Sequence, residues 1–322
     1  MLQWSILSES PSSCAAKACE AREAGAIAEW RKARRREFSC FCVAKCSPFG
    51  EQKKTREVSA ANDERPDLRG EMLLKKLFLI FAVLLMTDLI AAKENQTVKL
   101  NSGYEMPTLG LGTWTLTGET CENAVYAALK SGYRLIDTAK YYGNESEVGN
   151  AIRRAIKDGI CKREEIFVTT KLVPCSNNPD LDIDDSLKQL GLPYIDLCLL
   201  HQHGSASGDD AVYKAMIRAV KDGKIRSIGI SNFYTEKTVS HFIKDFEIPP
   251  AVIQNENHLK YQNNALRDWA AKKGIFIESY YPFGGRGHTK EHLQNETVLE
   301  IARAHGKSAA QIIVRWHLQS LY

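Results

Sequence analysis

Several things that would mark a specialised protein are scarce in this sequence. Charge of one sign is one of them: Lys and Arg total 43 against 39 Asp and Glu, a formal charge of +4 over 322 residues. Such a balance carries no nucleic-acid footprint. Long hydrophobic runs are absent too, the longest unbroken one being the ten residues from Leu77 to Met86. A bilayer span needs about 20 apolar residues, which excludes a multi-span membrane protein. Nine cysteines are too few for a disulfide scaffold. Ten prolines and 21 glycines exclude a collagen-like chain. What remains is ordinary globular composition, 44% hydrophobic and 25% charged.

That average covers three unlike pieces. Residues 1–71 hold no sustained apolar period, and Arg34-Arg35-Arg36 and Lys53-Lys54 sit among Glu, Ser and Ala. Such a stretch buries too little apolar surface to offset the entropy of ordering it, so a disordered extension is expected. Cys40, Cys42 and Cys46 cluster there without a histidine, and their spacing is not one used by zinc, so no metal site is expected. In residues 72–92, Lys75 and Lys76 precede the apolar run, and Ala91-Ala92 follow it. A basic start, a short apolar core and small residues at the end describe a secretory signal peptide. Met72 is then the expected start of translation, and the expected location is the secretory pathway or the extracellular space. A cytoplasmic protein is the alternative. The triplets at Asn95 and Asn295 are glycosylation sequons that fit secretion, whereas a glycan at a third sequon, Asn144, would block a pocket formed there.

Residues 93–322 alternate between two patterns. Apolar, β-rich runs fall at 109–114, 134–139, 166–172, 194–201, 225–232, 251–257 and 274–282. Helical periods fall at 121–130, 146–157, 184–190, 210–221, 235–246, 264–273 and 309–318. Seven near-continuously hydrophobic strands, each followed by a helix, predict a parallel sheet covered on both faces. Repetition without a reversal favours a β/α barrel over a doubly wound sheet.

Barrels of this kind build their sites at the C-terminal ends of the strands. Asp137, Lys171, His201, Ser231-Asn232, Gln254 with Glu256, and Tyr280 occupy those ends, and Tyr142 lies in the loop after Asp137. A tyrosine is a weak acid near pH 7, and a neighbouring lysine is expected to lower its pKa toward the working range. An aspartate holds that lysine charged, while a neutral histidine donates to a carbonyl oxygen. The set suits proton donation to a carbonyl, and the missing partner is a hydride donor, hence a nicotinamide cofactor. Plainer roles stay open for each residue. Asp137 and Lys171 also suit a structural ion pair at the rim, His201 a core position, and Tyr142 surface packing. Ser231-Asn232 also suits a helix N-cap before Thr235, and Gln254 a bond to the barrel backbone.

The sequence resembles the aldo-keto reductase family from about Val98 to Gln319. The stretch L-N-S-G-Y-E-M-P-T-L-G-L-G-T-W (100–114) is similar to that family's N-terminal β-hairpin and first strand. Its most specific signature resembles L-I-D-T-A-K-Y-Y-G-N-E-S-E-V-G (135–149), and V-T-T-K-L (168–172) and Y-I-D-L-C-L-L-H (194–201) follow in order. G-K-I-R-S-I-G-I-S-N-F (223–233), P-A-V-I-Q-N-E (250–256) and Y-Y-P-F-G (280–284) complete the set. The resemblance implies a (β/α)8 TIM-type barrel that reduces aldehydes or ketones, small carbonyl substrates, with NADPH. It implies Tyr142 as general acid, Lys171 and Asp137 as the groups that tune it, and His201 as the group that orients the carbonyl. Ser231, Asn232 and Gln254 are implied to hold the nicotinamide amide, Tyr280 to stack on its ring, and Trp114 to line the substrate pocket.

The likeness at H-Q-H-G (201–204) is to microbial-type members, with His203 where those have proline. In the family an eighth strand and the grip on the cofactor's 2′-phosphate follow R-W-x-L-Q (315–319). The expectation is therefore a barrel lacking its eighth β/α unit, and a non-catalytic binding or regulatory relative is the competing reading.

Overall fold

The computed structural model describes residues 97–320, apart from 286. The expected extension at 1–71 and the signal-like segment at 72–92 lie outside the described residues. Among the described residues, no helix is long and apolar enough to cross a membrane.

Strands β1 (Thr97–Lys99) and β2 (Glu105–Pro107) form the expected antiparallel hairpin, with Val98 opposite Met106. Seven parallel strands follow in sequence order: β3 (Gly110–Gly112), β4 (Leu135–Asp137), β5 (Phe167–Leu172), β6 (Ile195–Leu200), β7 (Ile225–Ser231), β8 (Val252–Glu256) and β9 (Phe276–Tyr280). They curve into a nearly closed barrel, and side chains of β4 and β8 meet inside it. Gln254 Nε2 donates to Asp137 Oδ2 at 2.8 Å across the interior.

The period of two along each strand sorts the core into two layers. Leu135, Phe167, Leu197, Leu199 and Val252 point inward and pack with Leu100 and Met106 of the hairpin, which closes the N-terminal end. Ile136, Val168, Leu172, Cys198, Leu200, Ile228, Ile230 and Ile253 point outward beneath the helices. Two residues further along the inward rows, polar side chains replace apolar ones, and the site begins.

The helices are α1 (Gly118–Lys130), α2 (Glu145–Lys157), α3 (Pro179–Leu190), α4 (Ala206–Lys221), α5 (Glu236–Lys244), α6 (Asn264–Ala271), α7 (Thr289–Leu293), α8 (Glu296–His305) and α9 (Ala309–Gln319). α3 and α4 start earlier than the apolar period alone predicts. Asn178 caps α3, with Pro179 in its first turn, and Ser205 caps α4. These are start signals that periodicity does not carry. The sequence reading placed a single helix after β9, whereas α7 and α8 precede α9. Asn295 caps α8 through the Val298 amide, and Val298 and Ala302 supply its buried face. Gly149 lets α2 approach α3 closely, since a Cβ there would lie 2.1 Å from the Leu190 carbonyl oxygen.

Candidate active site

The polar residues of the inward rows converge at the C-terminal mouth of the barrel. Asp137 is the last residue of β4, and Lys171 lies within β5 and is 1% exposed. Lys171 Nζ donates to Asp137 Oδ1 at 2.5 Å, to the Thr138 carbonyl at 3.0 Å and to Tyr142 Oη at 3.3 Å. Such a buried ammonium would be costly without these three partners. Burial pulls the Lys171 pKa down, but Asp137 and Tyr142 together push it above its ordinary value. The ammonium therefore stays charged.

Tyr142 closes a short 3-10 turn, Lys140–Tyr142, and the turn reverses through Gly143 at φ +63°. Asn144 then locks the loop. Its Nδ2 donates to the carbonyls of Thr113 and Leu116, both at 2.9 Å, and its Oδ1 accepts from Thr138 Oγ1 at 2.6 Å. The Asn144 side chain is fully buried. The folded protein thus leaves no room for a glycan at this sequon.

The expectation that Lys171 lowers the Tyr142 pKa is corrected in one respect. Lys171 does pull it down, but burial is the larger effect and Asp137 adds to it, so the phenol titrates above its ordinary value. A neutral phenol beside a fixed ammonium is the resting arrangement. His201 follows β6 directly, its ring 5.6 Å from that of Tyr142. Burial, with Lys171 second, pushes its imidazole down to about 3, so it is neutral at physiological pH.

Next to His201, Asn232 sits at φ +64° just beyond β7. Its Nδ2 donates to the His201 carbonyl at 2.8 Å and to Ser231 Oγ at 3.2 Å. Its Oδ1 accepts from Tyr280 Oη at 2.6 Å and Tyr234 Oη at 3.2 Å. The helix-cap alternative for Ser231-Asn232 is not what forms, because Thr235 caps α5 instead. Gln254 is likewise bound to side chains, not to the backbone: Nε2 donates to Asp137 Oδ2 and to Glu278 Oε2 at 2.9 Å. Its side-chain Oε1 accepts from none of the described residues, while its backbone carbonyl accepts from the Asn232 amide at 3.0 Å. Trp114, 36% exposed, stands at the rim with its ring 5.8 Å from that of Tyr281.

The structure brings Asp137, Tyr142 and Lys171 into direct contact, with His201 against Tyr142. Ser231, Asn232 and Tyr280 form a second hydrogen-bonded group, which Asn232 ties to His201. Gln254 is tied to the first group through Asp137. Glu256, also noted at a strand end, lies apart and pairs with His258 at 3.3 Å. At His203 the loop after β6 is held by the ring's Nδ1, 2.5 Å from Asp209 Oδ2.

Glu278 was missed by sequence reasoning, although its signal was present. It lies two residues before Tyr280, on the same inward row, and in register with Gln254.

Comparison with known proteins decides the family. The profile of the Aldo/keto reductase family matches residues 108–321. The chain belongs to the aldo/keto reductase family. An NAD(P)H-dependent D-xylose reductase of Candida tropicalis is 39% identical over 261 residues, covering 69% of this chain and 80% of that protein. Morphine 6-dehydrogenase of Pseudomonas putida is 38% identical, covering 71% and 80%. Among solved structures, MGS-M4, an aldo-keto reductase enzyme from a Medee basin deep-sea metagenome library, is 43% identical. Its TM-score is 0.64, over 69% of this chain and 81% of that one. An aldo-keto reductase complexed with NADPH is 28% identical with a TM-score of 0.65, covering 70% and 77%. This reductase thus has the family's barrel with its N-terminal hairpin.

Proposed function

We propose that this aldo/keto reductase uses NADPH to reduce an aldehyde or ketone to the alcohol, with Tyr142 as the general acid. The observation that carries the reading is the Lys171 ammonium, held between Asp137 and the Tyr142 hydroxyl at the mouth of the barrel. The donor set also fits a nicotinamide amide. The side-chain Oε1 of Gln254, whose amide is bonded to Asp137, and the hydroxyl of Ser231, bonded to Asn232, can pair with the nicotinamide amide, and Tyr280, tied to Asn232 through its hydroxyl, offers an aromatic face. Relatives named NAD(P)H-dependent reductases, and a similar structure complexed with NADPH, support the choice of cofactor.

When bound, the cofactor supplies a hydride to the carbonyl carbon. Tyr142 gives the proton from its Oη to the carbonyl oxygen as negative charge develops there. The phenolate left behind lies 3.3 Å from the Lys171 ammonium, which stabilises it. Asp137 keeps that ammonium charged and in place. His201, neutral because it is buried, donates to the same oxygen and orients the substrate. Trp114 walls the pocket in which the substrate's remainder sits.

Incubating the protein with NADPH and a broad panel of aldehydes and ketones tests this reading. Carbonyl-dependent NADPH oxidation is expected. Tight NADPH binding without turnover of any panel member would refute the enzymatic role.

We also propose that residues 72–92 direct the protein into the secretory pathway, on the strength of Lys75-Lys76 and the ten-residue apolar run alone. Native protein sequenced from its N-terminus should then begin near Ala92 or Lys93.

A further inference from the structure

Glu278 is a carboxyl in the barrel interior that the mechanism above leaves without a task. It extends from the inward face of β9, opposite Gln254 in the strand register, and accepts from Gln254 Nε2 at 2.9 Å. Both hydrogens of that one NH2 group are therefore spent on carboxylates, Asp137 on one side and Glu278 on the other. Rotating the amide by half a turn would set its oxygen against two carboxyl groups. Its orientation is thus fixed, and the carbonyl oxygen is the end left for a ligand.

Among the described residues, three polar groups act on Glu278. Asp137 on β4 repels its charge, while Lys171 on β5 and the Gln254 amide on β8 attract it. The helix on the outer face, α6, contributes apolar Leu266 and Ala270 to the layer beneath it. Two carboxyls sharing one amide do not both ionise freely. Burial, with the Asp137 charge second, pushes Glu278 up to about 7.

We propose that Glu278 is a further positioning residue of the nicotinamide subsite: it fixes the Gln254 amide and sets a second carboxyl beside Asp137, so that the site favours the oxidised, cationic ring whenever that carboxyl is ionised. The inference rests on the nicotinamide reading of the site given above. The reduced ring is neutral and feels no such preference. The two cofactor forms share every other charge, so their affinity ratio isolates the effect of Glu278.

Calorimetric titration with NADP+ and with NADPH, at several values between about pH 6 and pH 8, tests the proposal. In the parent protein, NADP+ binding should strengthen relative to NADPH by about five-fold or more as pH rises, the scale of one charge at an effective dielectric near 20. Glu278→Gln keeps an acceptor for Gln254 but loses the charge. Its ratio should be independent of pH and should stay at the parent's low-pH value. A purely structural role would change both affinities together and leave the ratio alone. A parent ratio that does not vary with pH overturns the proposal without any variant, and so does a pH-dependent ratio that survives in a folded Glu278→Gln. If Glu278→Gln fails to fold, Glu278→Asp should keep the pH dependence with a displaced midpoint, and loss of that dependence would overturn the proposal. Failure of the parent protein to bind either form would overturn the nicotinamide reading itself, and this proposal with it.

Discussion

Replacing Asn144 with alanine should be among the most damaging single changes near the site, although Asn144 touches no reacting atom. Three hydrogen bonds end on its amide: two carbonyls, of Thr113 and Leu116, and the Thr138 hydroxyl. The side chain is fully buried, so water cannot replace them without opening the loop. A typical net hydrogen bond contributes about 1 kcal/mol, and a buried polar group left unpaired costs about 1–3 kcal/mol. Asn144→Ala is therefore expected to cost about 3–5 kcal/mol. For a barrel of this size that lowers Tm by about 6–20 °C, measurable by circular dichroism during heating.

Asn144→Asp sharpens the test. An ionised carboxylate would face two carbonyl oxygens, while a protonated one can donate to one of them. Its folded-state pKa would lie above the unfolded value, so the folded protein binds the extra proton. The variant should be most stable at low pH and lose stability as pH rises through that folded value. The loop also carries Tyr142, so turnover should fall together with stability in both variants. An Asn144→Ala protein within about 1 kcal/mol of the parent would refute the argument that this amide anchors the loop.

Two further outcomes follow from the same geometry. Glu278 titrates near 7 in the fold against an ordinary 4.5, so the folded state holds its proton longer. The parent should lose up to about 3 kcal/mol of stability as pH rises from about 5 to 8, whereas Glu278→Gln should lose less, as urea unfolding at each pH will report. Gly149→Ala places a Cβ 2.1 Å from the Leu190 carbonyl oxygen and must push α2 from α3. It should destabilise by at least about 2 kcal/mol despite alanine's better helix propensity, and a neutral result would mean that these helices yield easily.

Much of this was legible in the sequence because strand periodicity and site chemistry coincide. Asp137, Lys171 and His201 end apolar runs, and an apolar run that ends in an ionisable residue needs a reason. Repetition of strand and helix without a reversal indicated a barrel, and the seven strands do pair in sequence order. Tertiary environment was less legible. Nothing local to Tyr142 shows that burial outweighs its lysine, because that balance depends on the rim closing over the phenol.

Asn144 read as a glycosylation sequon, while the fold uses it as an internal clamp. A triplet motif says nothing about burial. Glu278 is harder to read because Tyr280, not Glu278, ends its strand. Counting back by two from Tyr280 would have placed it inside the barrel, across from Gln254. Helices α7 and α8 were missed because α7 has no side-chain cap and α8 a single one, Asn295, and their buried faces are only a residue or two wide.

The claim most in need of a direct test is that Tyr142 donates the proton and Lys171 serves it. Single-turnover reduction of a good carbonyl substrate by Tyr142→Phe, with NADPH affinity measured on the same sample, isolates that step. Affinity for NADPH within about two-fold of the parent and a rate lower by about two to four orders of magnitude is the predicted result, the scale of general-acid catalysis. A Tyr142→Phe protein that reduces the substrate at the parent rate would contradict it.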